Sequence, residues 1–311
     1  MSPQVLPGTE RQLAFRRELL DRGHLIETGV DGVYGLGPDF EDVRRRFDAL
    51  VTRVAAPDDA VRMHFPPVLP LRTLEATGYV GSFPHLCSVV HAFEGDAVEA
   101  RTMAELAEKH ADWGDHLVQS DLALVPACCY PVYPAIAARG RLSVGGVVVD
   151  AGAAYAFRNE PSEDPARLRA FHQREIVRIG EPAAVEAWRD RWRDRSVALL
   201  RGLGLDATCD TAGDAFFGRA GRMLAATQRR DGLKFEVLAP IAGDAPTALA
   251  SFNYHRDHFG ALFGLELAGG GPAHTACLGF GEERVVMALL AAHGSAVSDW
   301  PSEVRAQLWE A

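Results

Sequence analysis

The sequence predicts an α+β fold, a mostly antiparallel sheet flanked by helices, and three observations carry that expectation. Between residues 122 and 180 short apolar runs follow one another at close intervals, with turns rather than helices between them, which favours antiparallel pairing. Several other stretches repeat apolar residues at helical spacing. With 311 residues, 48% hydrophobic and 24% charged, the chain can bury one large core, so residues 1–311 are expected to form a single domain.

The elements follow in order. Residues 9–22 place Leu13, Phe15, Leu19 and Leu20 at helical spacing, and after the Gly-rich turn TGVDGVYGLGP residues 39–54 do the same with Val43, Phe47, Leu50 and Val51. These two helices make an N-terminal helical region over 1–65. MHFPPVLPLRTLEATGYVGSFPHLCSVVHAF then gives a helix-like stretch, Gly78 and Tyr79, and a strand-like run around Pro84. Strands are expected at 122–125, 142–149 and 153–157, the last leading into the loop RNEPS, and a further strand in FHQREIVRIG. A helix over 182–203 opens on EPAAVEAW and stops at Gly202. Residues 209–232 read as an inserted helix and loop. Gly279 and Gly281 flank Phe280 at a strand end, and Glu283-Arg284 opens a helix with Val285, Ala288, Leu289 and Ala292 on one face.

A net charge of −10, with no compensating block of positive residues, disfavours bulk binding of nucleic acid. The N-terminus lacks a charged-then-apolar signal pattern, and no run reaches the roughly 18 apolar residues of a membrane span. A cytoplasmic protein is expected. Five cysteines, an odd count in a long chain, argue for thiols rather than a disulfide framework, some of them metal-bound. Nearly all the basic residues are Arg, with only Lys109 and Lys234 as lysines, and this bias is given no functional weight.

The most informative stretch is AFRNEPSEDPARLRAFHQREIVRIG. Arg158 and Glu160, at the end of one strand-like run, are two residues apart and so share one face of a strand, as do Phe171, Gln173 and Glu175 in the next run. A guanidinium donates two parallel hydrogen bonds to a phosphate and an aromatic ring stacks on a base, so the implied ligand is a nucleotide. The segment resembles motif 2 of class II aminoacyl-tRNA synthetases, and FHQREIVRIG is especially similar to the zinc-dependent, methanogen-type seryl enzymes. HTACLGFGEERVV resembles motif 3, in which the Arg lies against adenine and the γ-phosphate. The helix-turn-strand around Pro84 resembles motif 1, which in that family forms a homodimer interface.

Carried onto this sequence, the resemblance implies Arg158 and Arg284 as catalytic residues and Arg158, Glu160, Arg167, Phe171, Ser251 and Arg284 as contacts for ATP, with Mg²⁺ bridging its phosphates. Three thiols and a carboxylate stand in matching places: Cys128-Cys129 in LVPACCYPVYP, Glu175 and Cys277. Buried Cys is ordinarily a small hydrophobe, and the long separations carry little by themselves. The seryl enzymes with this strand bind zinc through Cys, Glu and Cys, and the overlay of LVPACC on LIPTAE selects Cys129. The implied zinc ligands are Cys129, Glu175 and Cys277, with a fourth position open.

Only 27 residues follow Arg284, too few for an anticodon-binding domain, and no long helical arm precedes Gly78. A catalytic domain without tRNA-binding parts resembles the amino acid:[carrier protein] ligases, which activate glycine or alanine and load it onto the phosphopantetheine arm of a small acidic carrier protein. Arg219, Arg222, Arg229 and Arg230 in the insertion are a candidate dock, with a solvated helix face as the alternative. A truncated seryl-type synthetase and a non-catalytic regulatory paralogue remain as other readings, the second opposed by the presence of Arg158 and Arg284. No tRNA partner and no membrane are expected.

Overall fold

The computed structural model describes residues 5–309. Helix α1 (Glu10–Asp21) starts at a capping box, in which the Thr9 hydroxyl and the Gln12 side chain satisfy each other's backbone N–H. The Gly-rich stretch after it is more than a turn. It forms a hairpin, β1 (Leu25–Val30) and β2 (Val33–Leu36), with Gly29 and Gly32 at positive φ where the chain reverses. Helix α2 (Pro38–Ala55) begins with Pro at its first turn and buries Phe40, Val43, Phe47, Leu50 and Val51, the stripe that its sequence period marks.

Next come the edge strand β3 (Val61–Arg62), β4 (Val68–Pro70), α3 (Leu71–Ala76), α4 (Tyr79–Ser82), β5 (Val89–Ala92), α5 (Ala97–Glu108) and β6 (Val118–Leu124). The strand expected around Pro84 is absent: Leu86 donates its N–H to Phe83 O in a tight turn, and Pro84 has no N–H to give a ladder. A long helix leading into an edge strand does occur, earlier, as α2 and β3. The run at 122–125 is the end of β6, which lies in a separate three-stranded sheet of order β4-β6-β5.

After α6 (Val132–Ala137), the strands expected at 142–149 and 153–157 are one, β7 (Val147–Phe157). Gly152, at φ 70°, carries a bulge that breaks the alternation and makes one strand look like two. Then follow β8 (Ala170–Gly180), α7 (Pro182–Gly202), β9 (Thr208–Thr211), α8 (Gly218–Arg230), β10 (Lys234–Ala239), β11 (Thr247–Arg256), α9 (His258–Phe263), β12 (His274–Gly281), α10 (Glu282–His293) and α11 (Ser302–Trp309). The stretch 209–232 is thus a strand as well as a helix and loop.

Seven strands form the main sheet in the order β3-β7-β8-β12-β11-β10-β9, antiparallel throughout except for the parallel β3-β7 pair. Apolar residues of α2, α7 and α10 pack with strand residues in the largest core, where Phe47 meets Phe280 edge-on at 5.4 Å and Trp192 is fully buried. Removing an aromatic side chain of that size from water contributes about 1.5–3 kcal/mol. A second core joins α6 and α9 to the sheet through Tyr133, Phe259, Val149 and Val177, and it includes Cys129 and Cys277.

Candidate functional site

Glu175 on β8 and Cys277 on β12 come from neighbouring strands, where Glu175 pairs with Gly279 and Val177 with Cys277. Two residues apart along β12, Gly279 and Cys277 face the same way, so Cys277 reaches the Glu175 side. Cys129 arrives from the loop between β6 and α6. One ligand atom from each of Cys129, Glu175 and Cys277 lies within 4.8 Å of the others, and all three residues are buried. Cys128 does not join them. Its thiol turns to Ala154 O at 3.3 Å, while its N–H donates to Gln173 Oε1. Gly279 has no room for a methyl group, since a Cβ there would stand 2.8 Å from Gln173 Nε2.

The hydrogen bond with Cys277, with burial behind it, pushes the Cys129 thiol well up, and burial pushes Glu175 up to about 7 against the two thiols that donate to it. A divalent ion would offset three negative groups at once. Glu175 Oε2, Asn253 Oδ1 and Tyr133 Oη are buried side-chain atoms without a hydrogen-bond partner, so the residues present fit an ion and a polar ligand beside it. Two thiolates and a carboxylate suit zinc and leave one coordination position open.

Arginines gather next to this cluster. Arg158 and Glu160 lie just beyond the end of β7 rather than within it, so strand alternation does not place them. Arg158 Nε donates to Pro126 O at 3.3 Å, and its guanidinium sits 5.4 Å from the centre of the Phe171 ring. Its charge also lowers the Glu175 pKa, which links the two halves of the site. Arg167 pairs with Glu160 at 2.7 Å. Arg284, at the start of α10, donates to Ala166 O at 2.7 Å and to Ala248 O at 3.1 Å. Burial, then the charges of Arg158 and Arg167, lower the Arg284 pKa to about 10. Ser251 on β11 stands between Glu236 on β10 and Gly279 on β12.

Sequence reasoning missed Lys234, which is buried between Asp214 at 2.7 Å and Glu236 at 3.0 Å. Its signal was visible: it is one of two lysines in a chain that otherwise uses Arg. Asn253 and His255, both beside Cys277, were missed as well. His172, which was given no role, turns to the opposite face of β8 and meets Glu283 at 2.7 Å.

No protein-family model matches the chain. It is 42% identical over 301 residues to the amino acid–[acyl-carrier-protein] ligase 1 of Bradyrhizobium diazoefficiens, covering 96% of this chain and 91% of that protein. The chain belongs to the amino acid–[acyl-carrier-protein] ligases. A second ligase of that organism, ligase 2, is 44% identical over 280 residues, 90% of this chain and 83% of that protein. The type-2 serine–tRNA ligase of Methanopyrus kandleri is 26% identical across 94% of this ligase, which spans 58% of that longer enzyme. Among solved structures, the M. kandleri seryl enzyme bound to an Aquifex aeolicus tRNA superposes with a TM-score of 0.81 at 20% identity, covering all of this ligase and 62% of that chain. This chain is therefore an enzyme with the class II synthetase fold. Among the described residues no helix is long and apolar enough to cross a membrane.

Proposed function

We propose that this ligase activates a small amino acid, glycine or alanine, with ATP and passes it to the phosphopantetheine thiol of a carrier protein in the cytoplasm. The observation that carries the reading is the charge of Arg158, which reaches both Glu175 in the Cys129, Glu175 and Cys277 cluster and Arg284 in the Arg158, Arg167 and Arg284 group. In the first half-reaction a carboxylate oxygen of the amino acid attacks the α-phosphorus of ATP; an aminoacyl-adenylate forms and pyrophosphate leaves. Arg158 stabilises the charge that grows on the α-phosphate, Arg167 and Arg284 hold the outer phosphates, and Glu160 and Phe171 hold the base. Mg²⁺ accompanies the phosphates, and Ser251 is placed to touch ATP or the amino acid.

Cys129, Glu175 and Cys277 would hold a zinc ion, which would supply a Lewis-acidic site for the α-amino group. Fixing that end orients the carboxylate for in-line attack. In the second half-reaction the carrier thiol attacks the adenylate carbonyl, a thioester forms, and AMP leaves as the thiol proton is lost. No protein nucleophile is needed.

Helix α8 supports an acidic partner. Arg219, Arg222, Arg229 and Arg230 are all exposed on it, and so are Phe217, Met223 and Leu224 around them. A merely solvated face would not expose three large apolar side chains among its charges. We also read the exposed edge formed by β3 as the contact of a homodimer, with Val61 and the half-exposed Tyr155 beside it.

Purified protein is expected to carry about one zinc per chain by elemental analysis, and Glu175→Ala or Cys277→Ala to lose both the metal and amino-acid-dependent ATP–pyrophosphate exchange. Full activity in a preparation free of metal would contradict the zinc assignment.

A further inference from the structure

Two side-chain nitrogens converge on the Cys277 sulfur. His255 Nε2 lies 3.7 Å from it and Asn253 Nδ2 lies 3.8 Å from it. The other ring nitrogen of His255 is 3.0 Å from the hydroxyl of Thr275, a fully buried residue two positions from Cys277 along β12. The ring is wedged edge-on between Tyr133 and Phe259, with centroids 6.1 Å and 4.9 Å away. Packing therefore fixes where both nitrogens point.

We propose that His255 is a positioning residue of the metal centre, donating its Nε2–H to the metal-bound Cys277 thiolate while the Thr275 hydroxyl donates to Nδ1 and fixes the tautomer. A metal-bound thiolate has no proton, so any hydrogen-bond partner must donate to it. A neutral imidazole has a single N–H, and placing it at Nε2 leaves Nδ1 as an acceptor for a hydroxyl. Asn253 Nδ2–H is a second donor to the same sulfur. Each N–H···S contact draws charge from the thiolate, weakens its donation, and makes the open coordination position a better acceptor for an amine. This role rests on the metal centre proposed above.

Cobalt(II) in place of zinc separates the two ideas, because thiolate-to-cobalt charge transfer reports directly on the sulfur. Relative to wild type, His255→Ala is expected to move that band to longer wavelength and, because the ring also holds the Cys277 sulfur in place, to release metal to a chelator roughly tenfold faster. His255→Gln, whose amide N–H can stand where the ring Nε2–H stood, should restore both. Thr275→Val, which keeps the ring but removes the hydroxyl partner, should shift the band in the same direction. An alanine variant that fails to load cobalt while the glutamine variant loads it normally supports the same role. An unmoved band in cobalt-loaded His255→Ala and Thr275→Val overturns it. Wild-type protein that takes up neither zinc nor cobalt removes the metal centre itself, and this role with it.

Discussion

Burial, then the charges of Arg158 and Arg167, make Arg284 costly to keep charged, which supports its proposed place beside the phosphates of ATP. Its contacts are backbone carbonyls, which hold the planar group without neutralising it. Arg284→Ala and Arg158→Ala are each expected to lower the rate of ATP–pyrophosphate exchange by about 10²–10³-fold, with circular dichroism unchanged. Lysine should not rescue either, since it loses the planar fork. Rates within a factor of two of wild type would remove these residues from the phosphate site. At this scale the sequence was most legible where the resemblance supplied a register. Cys129 was preferred over Cys128 on an overlay alone, and the geometry agrees, because Cys128 turns its sulfur to Ala154. Asn253 and His255 were not legible, since they meet Cys277 across the β11–β12 pairing, which no spacing in the sequence reveals.

Among the elements, α2 and α7 could be read from the sequence because a single stripe of each is buried, whereas α10, buried nearly all round, was marked by its apolar run. Strands were harder. Gly152 divides β7 at its bulge, β3 is two residues long, and Pro84 sits in a turn that apolar neighbours disguise. Helix α8 was legible as a helix, but its exposed apolar residues acquire meaning only from burial. Reversing Arg219 and Arg222 to Glu should leave ATP–pyrophosphate exchange intact and slow thioester formation by about tenfold, an effect that shrinks with added salt. Equal loss in both half-reactions would point instead to damage spread from α8 into the site, and no loss in either would free α8 of the carrier.

At the scale of the molecule, the seven-stranded sheet brings together residues that lie far apart in the chain, and this is why the fold had to be inferred before the cluster could be. The order of the motifs conveyed that architecture, whereas the helix-turn-strand around Pro84 that resembles motif 1 holds no strand at Pro84. If β3 is a dimer edge, light scattering at micromolar concentration should give twice the 33.7 kDa of one chain. A monomer would leave that edge without a partner. Activation followed by transfer to a carrier is tested by incubating the enzyme with ATP, radiolabelled glycine or alanine, and either tRNA or a phosphopantetheinylated carrier protein. Label is expected on the carrier, released by a thiol-cleaving reagent, and none on tRNA; label on tRNA alone would overturn the assignment of a carrier as acceptor.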